Sequence, residues 1–238
     1  FNDTVIGDAA GDQVFGGRGD DFLIGRTGND FFDGGIEDDT LSGREGADTL
    51  TGGFGNDFLA GGDEADVLFG GAGHDFIRGE SGNDLLFGGD GDDRIRAISG
   101  SDTINGGARN DEIVLGSSTS NVILMDRLDW GQDTIIGLGS TDKLDFSDLD
   151  IAFDDLNFFE EERTSPAISQ SRLSTVVELN GAEVVLYDVA FSQISEAENF
   201  VFGSGPFPGV PGSESLTGPF PDDTAAGGAG NDTITGTA

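Results

Sequence analysis

Residues 52–78 read GGFGNDFLA, GGDEADVLF, GGAGHDFIR. Set out in rows of nine, the sixth column is Asp (Asp57, Asp66, Asp75) and the eighth is apolar (Leu59, Leu68, Ile77). The frame extends in both directions without a slip. Thirteen aspartates stand nine residues apart: Asp3, Asp12, Asp21, Asp30, Asp39, Asp48, Asp57, Asp66, Asp75, Asp84, Asp93, Asp102 and Asp111. Two residues after each comes Val5, Val14, Leu23, Phe32, Leu41, Leu50, Leu59, Leu68, Ile77, Leu86, Ile95, Ile104 or Ile113. One such row is weak evidence; a frame held this long is a repeat architecture.

Glycine in columns one, two and four permits a tight turn and close approach of backbone to a ligand. The three residues after the Asp read as a short strand, its apolar middle residue inward and its neighbours outward. Two rows make one coil, so alternate rows stack and the aspartates form a ladder along each edge. Carboxylates about 4.8 Å apart repel strongly. A hard cation between rungs removes the repulsion, and calcium suits flexible oxygen cages. The alternative is a solvated acidic face, which does not require so strict a period.

Composition points the same way. Against 46 acidic residues the chain of 238 has 11 basic ones, a net charge of -35. Such a chain repels nucleic acid and anionic membranes and attracts cations. With 35% hydrophobic residues and 19 Phe it is richer in apolar groups than disordered acidic chains are. No stretch is long and apolar enough to span a membrane, so no membrane insertion is expected. There is no Cys, which excludes disulfides and thiolate metal sites. With His74 and Lys143 the sole His and Lys, most nucleophile–base arrangements cannot be built, and no enzyme is expected. His74 falls in column five and reads as a turn residue; Arg18-Gly19-Asp20 needs only an Arg in column three of the same frame.

On these rows the chain resembles the RTX family, whose GGxGxDxUx nonapeptides build a calcium-binding roll. The resemblance implies an all-β, right-handed parallel β-roll solenoid with a β-rich C-terminal cap. It also implies the ligands: carbonyls of columns two and four with the Asp of one turn, and carbonyls of columns one and three with the Asp two rows later. One edge would pair Asp30 with Asp48 and Asp48 with Asp66, the other Asp21 with Asp39 through to Asp93 with Asp111. That allows about ten Ca2+ sites within the chain. Glu37, Glu64, Arg109 and Ala10 replace the column-four glycine and Ala97 a column-one glycine, which puts the turn geometry there in question.

The strict frame lapses after Asp111. Asp133 and Asp142 are again nine apart, with Ile135 and Leu144 two residues on, and are candidate ligands. This stretch and the one following resemble the segment that closes β-rolls in secreted RTX proteins. Asn180-Gly181 is a hairpin turn between strands at 175–179 and 183–187. Ser195 and Glu198 resemble a capping box, and Trp130 reads as core of the cap. A solenoid needs such a cap to cover its last coil. The expected organisation is a roll at 1–116, a closing segment at 117–203, a linker at 204–208, and a second roll beginning at 209–238.

In that last part the rows GVPGSESLT, GPFPDDTAA and GGAGNDTIT carry Glu214, Asp223 and Asp232 in column six. Gly236-Thr237-Ala238 joined to residues 1–6 completes the row GTAFNDTVI, so the count runs from tail to head. The expected partners are therefore copies of the same chain, head to tail, with calcium sites shared across the junction. Large apolar residues stand in the outward columns: Phe22, Phe58 and Phe76 on one face, and Phe15, Phe31, Phe69 and Phe87 on the other. They mark either lateral contacts or a surface that the cap covers. The expected function is an extracellular, calcium-dependent structural unit of a bacterial fibre, surface layer or adhesin, exported without a cleaved signal. The alternative is a non-catalytic module of a secreted enzyme.

Overall fold

In a computed structural model the described residues are 1–116, 120–126, 131–149, 156–164, 171–179, 182–187, 199–202, 215–217 and 233–235. They form three sheets. The first runs β1 (Thr4–Ile6), β3 (Phe22–Ile24), β5 (Thr40–Glu45), β7 (Phe58–Asp63), β9 (Phe76–Ser81), β11 (Arg94–Ala97), β13 (Glu112–Leu115), β15 (Gln132–Ile136), β19 (Ala182–Tyr187), β18 (Ser171–Leu179) and β17 (Asn157–Thr164). The second runs β2 (Gln13–Arg18), β4 (Phe31–Ile36), β6 (Thr49–Phe54), β8 (Val67–Ala72), β10 (Leu85–Asp90), β12 (Thr103–Ala108), β14 (Val122–Leu124), β16 (Lys143–Phe146) and β20 (Phe200–Phe202). Consecutive strands alternate between the two sheets, which is the signature of two rows per coil. Paired strands are parallel and 18 residues apart in register, as Leu50 opposite Leu68 shows. The chain is an all-β parallel solenoid.

The eighth column is the core. Leu23, Phe32, Leu41, Leu50, Leu59, Leu68, Ile77, Leu86, Ile95 and Ile104 are all 0% exposed, and the two inward ladders meet between the sheets. Strands are longer than the three residues the repeat suggests. β6 covers Thr49–Phe54 because its glycines stay in the ladder, Gly53 lying opposite Gly35 and Gly71.

Beyond residue 116 the stacking continues. β13 pairs β15, β12 pairs β14 and β14 pairs β16, although the offsets are now 19 to 22 residues, as Thr103 opposite Val122, Val122 opposite Lys143 and Glu112 opposite Thr134 show. The first sheet then changes direction: β19 is parallel to β15 but antiparallel to β18, which is antiparallel to β17. Leu179 opposite Ala182 fixes a two-residue connection between β18 and β19 at Asn180-Gly181, as the sequence suggests; the turn itself lies outside the described residues. So do Ser195, Glu198 and Trp130. β21 (Ser215–Thr217) and β22 (Thr233–Thr235) pair in parallel with the same 18-residue offset, Ser215 opposite Thr233.

The outward phenylalanines meet along the stacking direction. Ring centroids are 5.4 Å apart for Phe58 and Phe76, 5.0 Å for Phe69 and Phe87, and 5.9 Å for Phe15 and Phe31. Phe15 remains 62% exposed and Phe22 43%.

Candidate metal centre

The sixth-column aspartates sit where the chain turns from one sheet to the other. Those from Asp21 to Asp111 are only 1–3% exposed. Each uses one oxygen in a fixed way. The N–H of Asp39 donates to Asp57 Oδ1 at 2.7 Å, that of Asp57 to Asp75 Oδ1 at 2.7 Å, and that of Asp75 to Asp93 Oδ1 at 2.8 Å. The opposite edge repeats this from Asp12 to Asp102. A carboxylate thus ties each coil to the one before it.

The other oxygen has no partner. Oδ2 of all eleven aspartates from Asp21 to Asp111 is buried without a hydrogen bond. Leaving a buried polar atom unpaired costs about 1–3 kcal/mol, and more for a charged one. Eleven in one frame is a pattern that calls for a ligand. The surroundings fit a hard cation. A Cβ placed on Gly70 would lie 2.4 Å from Asp75 Oδ2 and 2.6 Å from the carbonyl oxygen of Gly88, one coil on. Gly16 is alike, with Asp21 Oδ2 at 2.3 Å and the Gly34 carbonyl at 2.7 Å. The column-one glycine therefore keeps open a cradle in which an orphaned carboxylate oxygen faces a main-chain carbonyl. Among the described residues no three His, Cys, Asp or Glu side chains gather round one point, so main-chain carbonyls must supply much of any coordination sphere. Oxygen-only donors of mixed charge suit calcium.

Electrostatics agree. Burial, only partly offset by the backbone N–H, raises Asp39, Asp48 and Asp84 from 3.8 to about 6, and Asp57, Asp75, Asp93 and Asp111 to about 7. Asp66 rises to about 8, and the neighbouring carboxylates add to the effect in each ladder. A divalent ion beside Oδ2 would reverse this preference for the protonated form.

Most of the substituted turns keep their shape, but Ala10, alone of the four column-four replacements, does not take the left-handed backbone. Glu37, Glu64 and Arg109 in column four have φ of 78°, 75° and 89°, and Arg44 and Glu80 in column two have 85° and 73°. This left-handed conformation costs a side-chain-bearing residue roughly 1–2 kcal/mol. Two of the glutamates recover some of it: Glu37 Oε2 accepts the Gly19 N–H and Glu64 Oε2 the Gly46 N–H, both at 2.8 Å. Ala97 is buried in column one, and its carbonyl accepts the Gly116 N–H at 2.7 Å.

The ends of the ladders differ. Asp3 is exposed, and Asp12 is half-buried with its Oδ2 accepting the Asp8 N–H. Asp133 lies over Asp111, whose N–H it accepts at 2.9 Å, and burial pushes it to about 9. Asp142 has both oxygens engaged, Oδ1 by the Asn121 N–H and Oδ2 by the Gly139 N–H, each at 2.7 Å. Asp223 and Asp232 lie outside the described residues. Sequence reasoning missed Asn121. It is 0% exposed and takes an aspartate's place on the rung between Asp102 and Asp142, accepting the Asp102 N–H at 2.9 Å. Its signal was present in Asn121-Val122-Ile123, the Asp-x-apolar pattern with an amide. Asn199 donates to the Asp142 carbonyl at 3.2 Å on the same edge.

A solenoid whose turns carry orphaned carboxylate oxygens in two ladders is a structural, calcium-binding β-roll. The model of the RTX calcium-binding nonapeptide repeat, in copies of four, matches residues 1–32, 24–59, 33–68, 60–95, 96–118 and 222–238. These matches cover more than half of the chain, and it belongs to that family. No curated protein matches it. Among solved structures, the extracellular lipase LipA from Serratia marcescens aligns at 16% identity with a TM-score of 0.34. That alignment covers 74% of this chain and 40% of the lipase chain. Among the described residues no helix is long and apolar enough to cross a membrane.

Proposed function

We propose that this chain is a calcium-dependent structural unit of an extracellular bacterial assembly, a fibre, surface layer or adhesin, in which copies stack head to tail. The observation that supports it is the edge of the roll. Among the described residues β1 has a partner on one side only, β3, and β2 likewise only β4. Both offer the parallel edge of a strand to a further coil. β21 and β22 carry the matching half, since they repeat the 18-residue offset of the roll. Counting on by that offset puts Gln13 of a following copy opposite Thr233, and residues 224–226 opposite its Thr4–Ile6. Calcium sites at the junction would then draw ligands from both copies: Asp232 with Asp12 of the next, and Asp223 with its Asp3.

The test is the length of the particle. In millimolar calcium the full chain should form end-to-end rods, seen as multimers by light scattering and as lengthening particles by electron microscopy. Thr4→Pro in β1 blocks the edge while leaving the Asp21–Asp111 ladders intact, and should give monomers. A full chain that stays monomeric in calcium at high concentration, with both ends free, would refute the reading.

A further inference from the structure

The outward face of the first sheet departs from the rest of this acidic molecule. On β4, β6, β8, β10 and β12 of the second sheet no outward residue is basic. On the first sheet Arg78, Arg94 and Arg96 lie together on β9 and β11. Arg78 and Arg96 are register partners, directly opposite each other on adjacent strands. Like charges so placed oppose strand pairing. No acid lies between them. Arg78 Nη2 meets Glu80 Oε1 at 2.7 Å to one side, and Arg94 is held by Glu112. The Arg96 guanidinium lies 5.4 Å from the centre of the Phe76 ring. The Nε atoms of Arg78 and Arg96 are both buried with no hydrogen-bond acceptor. The two guanidinium groups, Arg78 held by Glu80 and Arg96 by the Phe76 ring, stand side by side with one glutamate for two charges, and form a notch for an oxyanion.

Beside the notch the surface is hollow. The register neighbours of Arg78 toward the start of the roll are Ala60 and then Ser42, both small. They open a groove of about 600 Å³ bordered by Arg44, Glu45, Asp63 and Glu80. Its lining combines donors, Arg26 and Arg44, with acceptors, Glu45, Asp63 and Glu80, which suits hydroxyl groups, since each hydroxyl both donates and accepts. The three acids would repel a polymer with a carboxylate at every residue. They tolerate one whose carboxylates are sparse.

We propose that this face binds an acidic saccharide, with a uronate carboxylate seated between Arg78 and Arg96 and the neutral part of the chain lying in the groove over Ala60 and Ser42. The proposal needs the calcium-loaded roll but not the head-to-tail assembly, so it stands or falls separately from it. The experiment is calorimetric titration of the full chain, in roughly 1–10 mM calcium, with hyaluronan oligosaccharides, neutral dextran and polyglutamate. Hyaluronan should bind, and the other two should bind much more weakly. Arg78→Gln with Arg96→Gln should weaken hyaluronan binding about tenfold or more, since charge-assisted hydrogen bonds are lost. Arg18→Gln, on the second sheet, should leave it unchanged. Ala60→Glu places a carboxylate of the protein's own beside Arg78; it should abolish binding and raise the thermal midpoint, a gain that shows the variant folded. Absence of hyaluronan binding, equal binding by the arginine double variant, or equally tight polyglutamate binding would overturn the proposal.

Discussion

Replacing Asp57 by Asn separates the two functions that the ladder gives each aspartate. Asp57 Oδ1 accepts the Asp39 N–H at 2.7 Å, and an amide oxygen can do the same, as Asn121 does for Asp102 at 2.9 Å. What Asn removes is the charge on Oδ2. Without metal that charge is a burden: burial raises Asp57 from 3.8 to about 7, with Asp75 adding to the effect. At about 1.4 kcal/mol per decade, ionising Asp57 in the metal-free roll costs roughly 4 kcal/mol relative to the unfolded chain, a ceiling that relaxation lowers. With calcium the charge is an asset to two sites, those shared with Asp39 and Asp75. Asp57→Asn should therefore act in opposite senses. At pH 8 in chelator it should retain more β structure than the parent. In a calcium titration followed by circular dichroism its midpoint should rise about threefold to tenfold. Asp148→Asn, exposed and off the ladder, is the control and should do neither. A midpoint unmoved by Asp57→Asn, or moved equally by Asp148→Asn, would refute the assignment of Oδ2 to metal.

Acidity should act on the metal-free chain in an unusual direction. Ladder carboxyls raised in the folded state stabilise it below their unfolded value of 3.8, and that contribution is lost as pH rises through about 6 to 8, the range spanned by Asp39, Asp57 and Asp66. In chelator, β content should fall from pH 4 to pH 8.5; in calcium it should rise, because protons compete with the metal. Gly70→Ala puts a methyl group 2.4 Å from Asp75 Oδ2 and 2.6 Å from the Gly88 carbonyl. It should lower the calcium-loaded thermal midpoint sharply, whereas Ser81→Ala, on an exposed position, should not. Asn121→Asp should add a ligand to the second edge, lowering the calcium midpoint and reducing metal-free β content, and Asn121→Leu should cost about 1–3 kcal/mol in thermal melts by orphaning the Asp102 N–H.

The roll itself was legible because its sequence period and its physical period coincide. Each row is one turn and one strand, so the column holding Leu50 and Leu68 is the core, and the column holding Asp57 and Asp75 is the edge ladder. The hairpin was legible from Asn180-Gly181 between two apolar runs, and β18 and β19 flank that position. What was not legible lies after residue 116, where counting fails. Hydrogen bonding, not spacing, sets which rungs stack. Asn121 follows Asp102 by 19 residues and Asp133 follows Asp111 by 22. Extra residues fit between rungs without breaking the stack, and a frame of nine cannot follow them. The full length of the strands was also hidden, because glycine pairs read as turns until the ladder shows Gly53 opposite Gly71. The arginine notch was invisible for a similar reason: Arg78 and Arg96 are 18 residues apart and become neighbours only when the coils stack.

The central claim is that calcium holding the two aspartate ladders together is what folds this chain. The most direct measurement is far-ultraviolet circular dichroism of the full chain, taken from excess chelator through a calcium titration at pH 7.5. Little β structure is expected in chelator and a cooperative gain at roughly 0.1–1 mM calcium, with magnesium failing to replace it. Full β structure in excess chelator, unchanged as calcium is added, would contradict it.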